Sequence, residues 1–171
     1  MRPQFRPSLL KIRRKRIKWI ILHHTVELYP APEAKIDNSK FQLPFIYNNA
    51  IEQKKFEINY NFVIEKIKND YQVITTRPIS YLCEWDDISP DINERAAHIA
   101  LLGSYDFKIP ELRLLEVLSY KLLNPLLNTF KIPPTKIKLH RDVSDNKDIT
   151  CPGDFIDLDR ILSLVRRYVI R

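Results

Sequence analysis

Long apolar runs and cysteines are scarce in this sequence of 171 residues, and each scarcity excludes a class of protein. The longest apolar run, Trp19 to Leu22, is far shorter than the roughly 20 apolar residues that a membrane-spanning helix needs. Two cysteines are too few for the disulfide framework of a small secreted domain. Internal repeats are absent, and the composition, 44% hydrophobic and 29% charged, is typical of a soluble globular protein. We therefore expect one domain with a core of its own.

Acidic residues are missing from the N-terminal part of the chain. Eight arginines and lysines precede the first acidic residue, Glu27, whereas the net charge of the whole chain is +7. We predict that residues 1–16 form a basic arm and that residues 17–171 form the folded domain. A basic arm favours an anionic partner, and a solvated tail that docks on another protein is the alternative. Nucleic acid is not expected, because Phe5 is the only aromatic residue among the basic residues of the arm and no nucleic-acid motif is present.

Short apolar segments alternate with helical patterns along the rest of the chain. Proline and glutamate at 110–111 open a helix whose leucines recur at spacings of three and four, and Pro125 is expected to kink or end it. This alternation predicts an α/β fold, a single domain with a central, mainly mixed β-sheet flanked by helices. The predicted strands are 17–22, 61–65, 71–76 (a hairpin with the one before it), 99–102 and 137–139; the other predicted helices are 45–55 and 157–169, with long loops at 29–44 and 79–94.

The histidines stand at positions where metal ligands are found. His23 and His140 come at the C-terminal ends of predicted strands, and Cys151 follows in a loop. Two nitrogen ligands and one sulfur ligand leave a fourth position of a tetrahedral zinc ion open, which is the arrangement of a catalytic site. From these residues alone, a strand-end histidine that is simply packed or hydrogen-bonded remains the alternative. Cys83 is expected to be a plain buried thiol.

Several short motifs together resemble one family, the zinc-dependent N-acetylmuramoyl-L-alanine amidases. This family shares its fold with the peptidoglycan recognition proteins and the amidase-type phage lysozymes. The resemblance extends over about residues 17–168, and Asn93 is similar to an asparagine that the family has before its strand-ending glycine. The motifs are His23-His24-Thr25, Tyr60-Asn61-Phe62-Val63-Ile64, Ile99-Ala100-Leu101-Leu102-Gly103, His140-Arg141-Asp142-Val143 and Cys151-Pro152-Gly153.

The resemblance implies a Zn²⁺ site and a catalytic tyrosine. It makes His23, His140 and Cys151 the three metal ligands and does not make His24 a ligand. Tyr60 matches the tyrosine that active members place beside the metal-bound water, where it would hydrogen-bond that water or the oxyanion. Asp142 resembles a residue that orients a ligand or the loop after His140.

Some positions depart from the family pattern. Ile149 stands where many members have a lysine or threonine that helps to bind the oxyanion, and Lys147 and Thr150 are the catalytic candidates to replace it. Ala100 stands where some branches use a glutamate. His98 occupies a strand position that is usually glycine, and we expect it to be packed rather than to line a groove. Trp85 lies in the loop where the family has a histidine, and it could stack on a sugar or fix the loop.

The function that the resemblance implies is a hydrolase that cleaves peptidoglycan between N-acetylmuramic acid and the L-alanine of the stem peptide. A bacteriophage endolysin, an antimicrobial cell-wall-degrading amidase, is the form we expect. No apolar signal-peptide core is evident, so we expect synthesis in the cytoplasm and action on the wall after lysis or as part of a virion. The arm would bind an anionic wall polymer or a virion protein. The alternative is a non-catalytic peptidoglycan-binding or virion structural module on the same fold. A zinc protease is disfavoured, because no His-Glu-x-x-His helix exists.

Overall fold

A five-stranded sheet forms the centre of the protein, seen in a computed structural model that describes residues 11–25 and 58–169. The strand order is β3-β2-β4-β1-β5, and all neighbours are parallel except the β2–β3 hairpin. The predicted α/β domain with a mixed sheet is therefore confirmed. The strands are β1 (Trp19–His24), β2 (Phe62–Ile67), β3 (Asp70–Thr75), β4 (Ala96–Leu101) and β5 (Ile137–Leu139).

The longer helical segments pack against one face of the sheet. The α-helices are α1 (Pro90–Arg95), α2 (Leu112–Val117), α3 (Asn124–Phe130), α4 (His140–Val143) and α5 (Leu158–Val169), with a π-helical segment at Leu118–Leu123 and a 3₁₀ turn at Pro134–Lys136. The predicted loop at 29–44 and helix at 45–55 lie outside the described residues. Within the described part of the chain, no helix has the length and apolarity needed to cross a bilayer.

The sheet separates the main core from the face that holds the histidines. Because side chains alternate along a strand, Ile20 and Leu22 of β1 pack with the helices in the main core. Ile21 and His23 lie on the opposite face, and His98 of β4 pairs in register with Ile21. The alternation in β1 thus directs an apolar set to the helices and a histidine to the other side.

Pro125 does not end the long helical stretch from Leu112 to Phe130, so the predicted end is wrong, whereas the predicted kink stays a prediction. Proline in a helix interior clashes with the carbonyl four residues earlier. Here the π-helical segment comes directly before it, and the Asn124 N–H donates to the Ser119 carbonyl, five residues back. Pro125 then lies in the first turn of α3, where proline is tolerated. The stretch ends at Lys131, which has left-handed backbone angles.

The predicted loop at 79–94 is also wrong at its C-terminal end. Pro90 starts the short helix α1, since proline favours the first helical position. Asn93 in this helix donates from Nδ2 to the carbonyls of Trp85 and Ile88, both at 2.8 Å. Its Oδ1 accepts the Trp85 N–H at 3.3 Å. Asn93 therefore fixes the segment that places Trp85 and its neighbours beside the sheet.

The described part of the predicted arm, residues 11–16, contacts the domain. Arg13 donates to three carbonyls, those of Ile79 (2.9 Å), Glu94 (3.0 Å) and Tyr81 (3.2 Å). Lys11 pairs with Glu84 at 2.8 Å. The boundary at residue 16 stays a prediction, and these contacts show that the chain is attached to the domain before it.

Candidate metal centre

The three predicted ligands lie together at one edge of the sheet. His23 is the last residue but one of β1, and His140 directly follows β5, the parallel neighbour of β1, so both side chains emerge near the carboxyl ends of adjacent strands. The loop after α4 brings Cys151 to the same place. One ligand atom from each residue lies within 4.8 Å of the other two, and all three residues are buried. Among residues 11–25 and 58–169, this is the one such group of histidine, cysteine or acidic residues.

The geometry of these atoms fits a zinc ion. The His23 Nδ1 lies 3.9 Å from the Cys151 Sγ. Tetrahedral zinc with bonds of about 2.0–2.3 Å separates its nitrogen and sulfur ligands by roughly 3.3–3.6 Å, so only a small contraction is needed. The His140 Nδ1 is buried and has no hydrogen-bond partner among the described residues. A buried, unpaired nitrogen beside a sulfur and a second nitrogen has the donor chemistry of a zinc site.

The Cys151 loop is held by one arginine and one glycine. The Arg141 guanidinium donates to the carbonyls of Thr150 (3.1 Å), Gly153 (2.8 Å) and Ile156 (3.2 Å). The Arg141 N–H also donates to the Cys151 carbonyl at 2.9 Å. Gly153 has a φ of 105°, and a Cβ there would lie 2.3 Å from the backbone carbon of Tyr105. The loop can approach the β4 end this closely because position 153 has no side chain.

Each ligand also has an outer contact that orients it. The His23 Nε2 lies 2.9 Å from the His98 Nδ1, and the His140 Nε2 lies 3.0 Å from the Asp87 Oδ2. The His24 N–H donates to the Cys151 Sγ at 3.4 Å. Ligating histidines in metalloproteins usually have such a partner on the second ring nitrogen. Because Nε2 of each histidine lies next to such a group, Nδ1 is the atom left for a metal.

Asp87 is a site residue that the sequence analysis did not find. It also accepts a hydrogen bond of 2.6 Å from the Ser144 hydroxyl, which fixes the carboxylate beside His140. The Asp142 Oδ2 accepts the Leu139 N–H at 3.2 Å, just before His140, and its role in orienting a ligand or the loop after His140 stays a prediction. Nothing in the local pattern distinguishes Asp87 from Asp86, because its role depends on a contact between segments more than 50 residues apart.

Burial keeps the imidazoles neutral. Loss of hydration lowers the pKa of His23 and of His98 well below the ordinary value, and it also lowers the pKa of His140. The pKa of His24 falls to about 4, mainly through burial. Burial also raises the pKa of the Cys151 thiol to about 12. Near neutral pH the imidazole lone pairs are therefore available to a metal, whereas the thiol must lose a proton to bind one.

Two aromatic residues form a wall beside the ligands. The half-buried Trp85 indole stacks on the His23 imidazole, with centroids 4.5 Å apart and planes inclined by 18°, and lies 5.0 Å from the His140 ring. The Tyr60 ring is 5.4 Å from that of His23, and its hydroxyl donates to the His24 carbonyl at 3.5 Å. Trp85 is thus in contact with two of the three ligand candidates.

Lys147 and Thr150, the two other catalytic candidates, lie in the loop before Cys151. Both are exposed. The Lys147 Nζ donates to the Ser144 carbonyl at 3.1 Å, and the Thr150 carbonyl accepts from Arg141. Ile149 between them is half-buried. Their catalytic roles stay predictions.

The comparisons with known proteins agree with this architecture. A family model described as N-acetylmuramoyl-L-alanine amidase matches residues 13–154. The chain belongs to this family. No curated protein sequence is significantly similar to it.

Solved structures of amidases and recognition proteins share the fold of this family member. The amidase LysC from Clostridium intestinale URNW is 23% identical, with a TM-score of 0.64 over 88% of this chain and 86% of that one. The endolysin of the Thermus scotoductus MAT2119 bacteriophage Ph2119 is 18% identical, with a TM-score of 0.61 over 91% and 89%. A mutant of Drosophila PGRP-LB in complex with tracheal cytotoxin is 19% identical, with a TM-score of 0.62 over 90% and 85%.

Proposed function

We propose that this protein is a zinc-dependent N-acetylmuramoyl-L-alanine amidase, an endolysin of phage type that cleaves the bond between N-acetylmuramic acid and the L-alanine of the stem peptide. The observation that supports it most is the buried group of His23, His140 and Cys151, in which the His140 Nδ1 has no hydrogen-bond partner among the described residues. Membership of the amidase family supports the peptidoglycan substrate.

The chemistry follows from the donor set and its surroundings. A zinc ion bound by these three residues would lower the pKa of a bound water toward about 7 and polarise the scissile carbonyl. Asp87 would hold the His140 imidazole in place, since its Oδ2 lies 3.0 Å from the His140 Nε2. The Tyr60 hydroxyl would donate to the reacting water or to the developing oxyanion, a role worth roughly 10²–10³-fold in rate. Lys147 and Thr150 are the further donors that we propose in place of the isoleucine at 149.

The basic arm at residues 1–16 is proposed to bind an anionic wall polymer or a virion protein. The exposed basic residues of its described part are already partly paired, as Lys11 with Glu84 and Lys15 with Glu94 show. Most of the charge for such a partner would therefore come from the exposed Arg14 and Arg16 and from Arg2 and Arg6. The amidase domain would occupy residues 17–171.

A non-catalytic peptidoglycan-binding module is the second candidate. Two observations favour it: Ile149 stands where a polar donor is expected, and the structurally similar PGRP-LB mutant is in complex with tracheal cytotoxin. The buried thiol of Cys151 beside two histidines favours the enzyme, because binding a peptide alone does not need a complete metal-ligand set.

The test is digestion of purified peptidoglycan sacculi, followed by mass spectrometry of the products. We expect free stem peptides that begin with L-alanine, together with intact glycan strands, and we expect both to disappear when a chelator removes the metal. Cys151→Ser should lower the rate at least about 100-fold, because one of three zinc ligands is replaced by a poor one.

Cys83→Ser is the matched control, since Cys83 is the other buried cysteine, forms no disulfide and is not in the metal group. This variant should keep its activity. A protein that contains zinc and binds sacculi, yet releases no stem peptide, would contradict the amidase and support the binding module.

A further inference from the structure

We propose that His98 is a positioning residue for the metal ligand His23, and that it acts by accepting a hydrogen bond from the His23 Nε2–H. This inference rests on the zinc site of the proposed function and assigns a role to a residue outside the ligand set. His98 would hold the His23 ring in one tautomer and one orientation, with Nδ1 directed at the metal. His98 was predicted to be a packed strand residue, and this role would explain why a histidine is packed there.

The contact is short and enclosed. The His23 Nε2 and the His98 Nδ1 are 2.9 Å apart, and both residues have no exposed surface. The parallel pairing of β1 with β4 produces this contact, because His98 lies opposite Ile21, two residues before His23 on the same face of the sheet. The two rings are tilted by 32°, with centroids 5.1 Å apart.

Asn61 fixes the backbone of His98. The Asn61 Oδ1 accepts the His98 N–H at 3.0 Å, and the Asn61 N–H donates to the His98 carbonyl at 2.9 Å. The Asn61 Nδ2 in turn donates to the Arg77 carbonyl at 3.3 Å. His98 is therefore held at both of its backbone polar groups by the side chain and the main chain of one residue, which fixes the point from which its ring reaches His23.

Proton counting decides which ring must accept. A neutral imidazole has one N–H and one lone pair, so only one of the two rings can donate across the 2.9 Å contact. If His98 donated, the His23 proton would sit on Nδ1 and point toward the Cys151 Sγ, 3.9 Å away, where it would block the metal. If His23 donates, its Nδ1 lone pair is free. Metal binding at Nδ1 is therefore possible only in the arrangement in which His98 accepts.

The accepting arrangement places the His98 proton on Nε2. That atom is buried and has no hydrogen-bond partner among the described residues. An unpaired buried N–H is costly, and this cost must be offset by the ligand bond that the arrangement makes possible. An ordinary core histidine would place its one proton on the nitrogen that has a partner. The His98 Nε2 lacks a partner in either tautomer, so a positioning residue differs from a packed one in carrying its proton on Nε2 when zinc is bound.

Zinc affinity of the purified protein tests the inference without relying on activity. Competition with a chromophoric chelator would give the zinc dissociation constant of wild type, His98→Leu and His98→Asn. We expect His98→Leu to weaken zinc binding by about 10–100-fold, as loss of an outer partner of a histidine ligand does. His98→Asn should stay within about threefold of wild type, because the Asn Oδ1 takes the place of the accepting Nδ1.

Ile99→Ala is the matched control for a packing defect. Ile99 is fully buried next to His98 but packs in the main core on the helix side of β4. It should lower the free energy of unfolding and leave the zinc affinity unchanged. Equal zinc affinity in wild type and His98→Leu would overturn the role of His98 and leave the zinc site intact.

Nitrogen NMR of the histidine rings in the wild-type protein keeps the inference testable even if His98→Leu does not fold. In the zinc-loaded protein we expect His98 as the Nε2–H tautomer and a protected Nε2–H on His23. A zinc-loaded protein with the His98 proton on Nδ1 would overturn the inference. A wild-type protein that binds no zinc would overturn the proposed metal site itself, which is a different result from the one above.

Discussion

Cys151 shows at the scale of a single residue how burial controls metal binding. Its thiol has a pKa raised to about 12, because burial disfavours the thiolate. The imidazoles of His23 and His140 have pKa values shifted the other way, below normal, for the same physical reason. A single change of environment thus prepares the nitrogen ligands for a metal and makes the sulfur ligand depend on proton release.

Zinc binding should accordingly release protons in a defined number. At pH about 6.5 we expect about one proton per zinc, from the Cys151 thiol, and an affinity that rises about tenfold per pH unit up to neutral pH. The zinc affinity rises with pH because the metal binds the thiolate and competes with a proton for it. Calorimetric titrations in two buffers of different ionisation enthalpy would count the protons. Release of none would contradict a thiolate ligand, and Cys151→Ser, which lacks the thiol, is the control.

The element that most constrains the site is the loop around Cys151. Arg141 binds three of its carbonyls, and Gly153 allows it to lie against the backbone of Tyr105. Gly103 also has a positive φ, of 137°, but a Cβ there would meet only the side chain of Tyr105, at 3.3 Å. The two glycines therefore differ in what a methyl group would displace.

Alanine at these two positions should have unequal effects. Gly103→Ala should lower the free energy of unfolding by about 1–2 kcal/mol, the cost of an unfavourable φ. Gly153→Ala should cost at least about 3 kcal/mol, because the methyl group also collides with backbone. It should also weaken zinc binding through displacement of Cys151. Urea unfolding and chelator competition would measure both effects, and equal losses in the two variants would contradict this account.

At the scale of the whole molecule, the question is where the folded domain begins. The family match starts at residue 13, and Arg13 donates to carbonyls from three different residues of the segment 79–94. The neighbouring Arg14 has the same charge and is exposed. Variants of Arg13 and Arg14 therefore separate the effect of basic charge on stability from the effect of hydrogen bonds to the domain.

Arg13→Ala should lower the free energy of unfolding by about 2 kcal/mol or more, because three carbonyls lose a charged donor. Arg14→Ala removes the same charge and should change stability by no more than about 0.5 kcal/mol. Urea denaturation of the two variants would compare them directly. Equal stability of Arg13→Ala and wild type would mean that residues 11–16 behave as a separate arm.

The sequence by itself determined the features that depend on local pattern. Short stretches of neighbouring residues show the apolar strands, the leucines at helical spacing and the places of His23 and His140 at strand ends. The α/β fold and the ligand candidates were therefore predictable. The continuation of the helical stretch through Pro125 and the short helix at Pro90–Arg95 were not predicted. A π-helical turn and one short helix depend on packing rather than on propensity.

Only the tertiary structure decided which residues contact the ligand side chains. The contacts of His98 with His23 and of Asp87 with His140 join segments separated by 75 and about 50 residues. Strand order and register create them, and no spacing in the sequence encodes strand order. The chemical identity of the site was therefore readable from residue types, whereas the orientation of its ligands came from the pairing of β1 with β4 and from the loop that Asn93 holds.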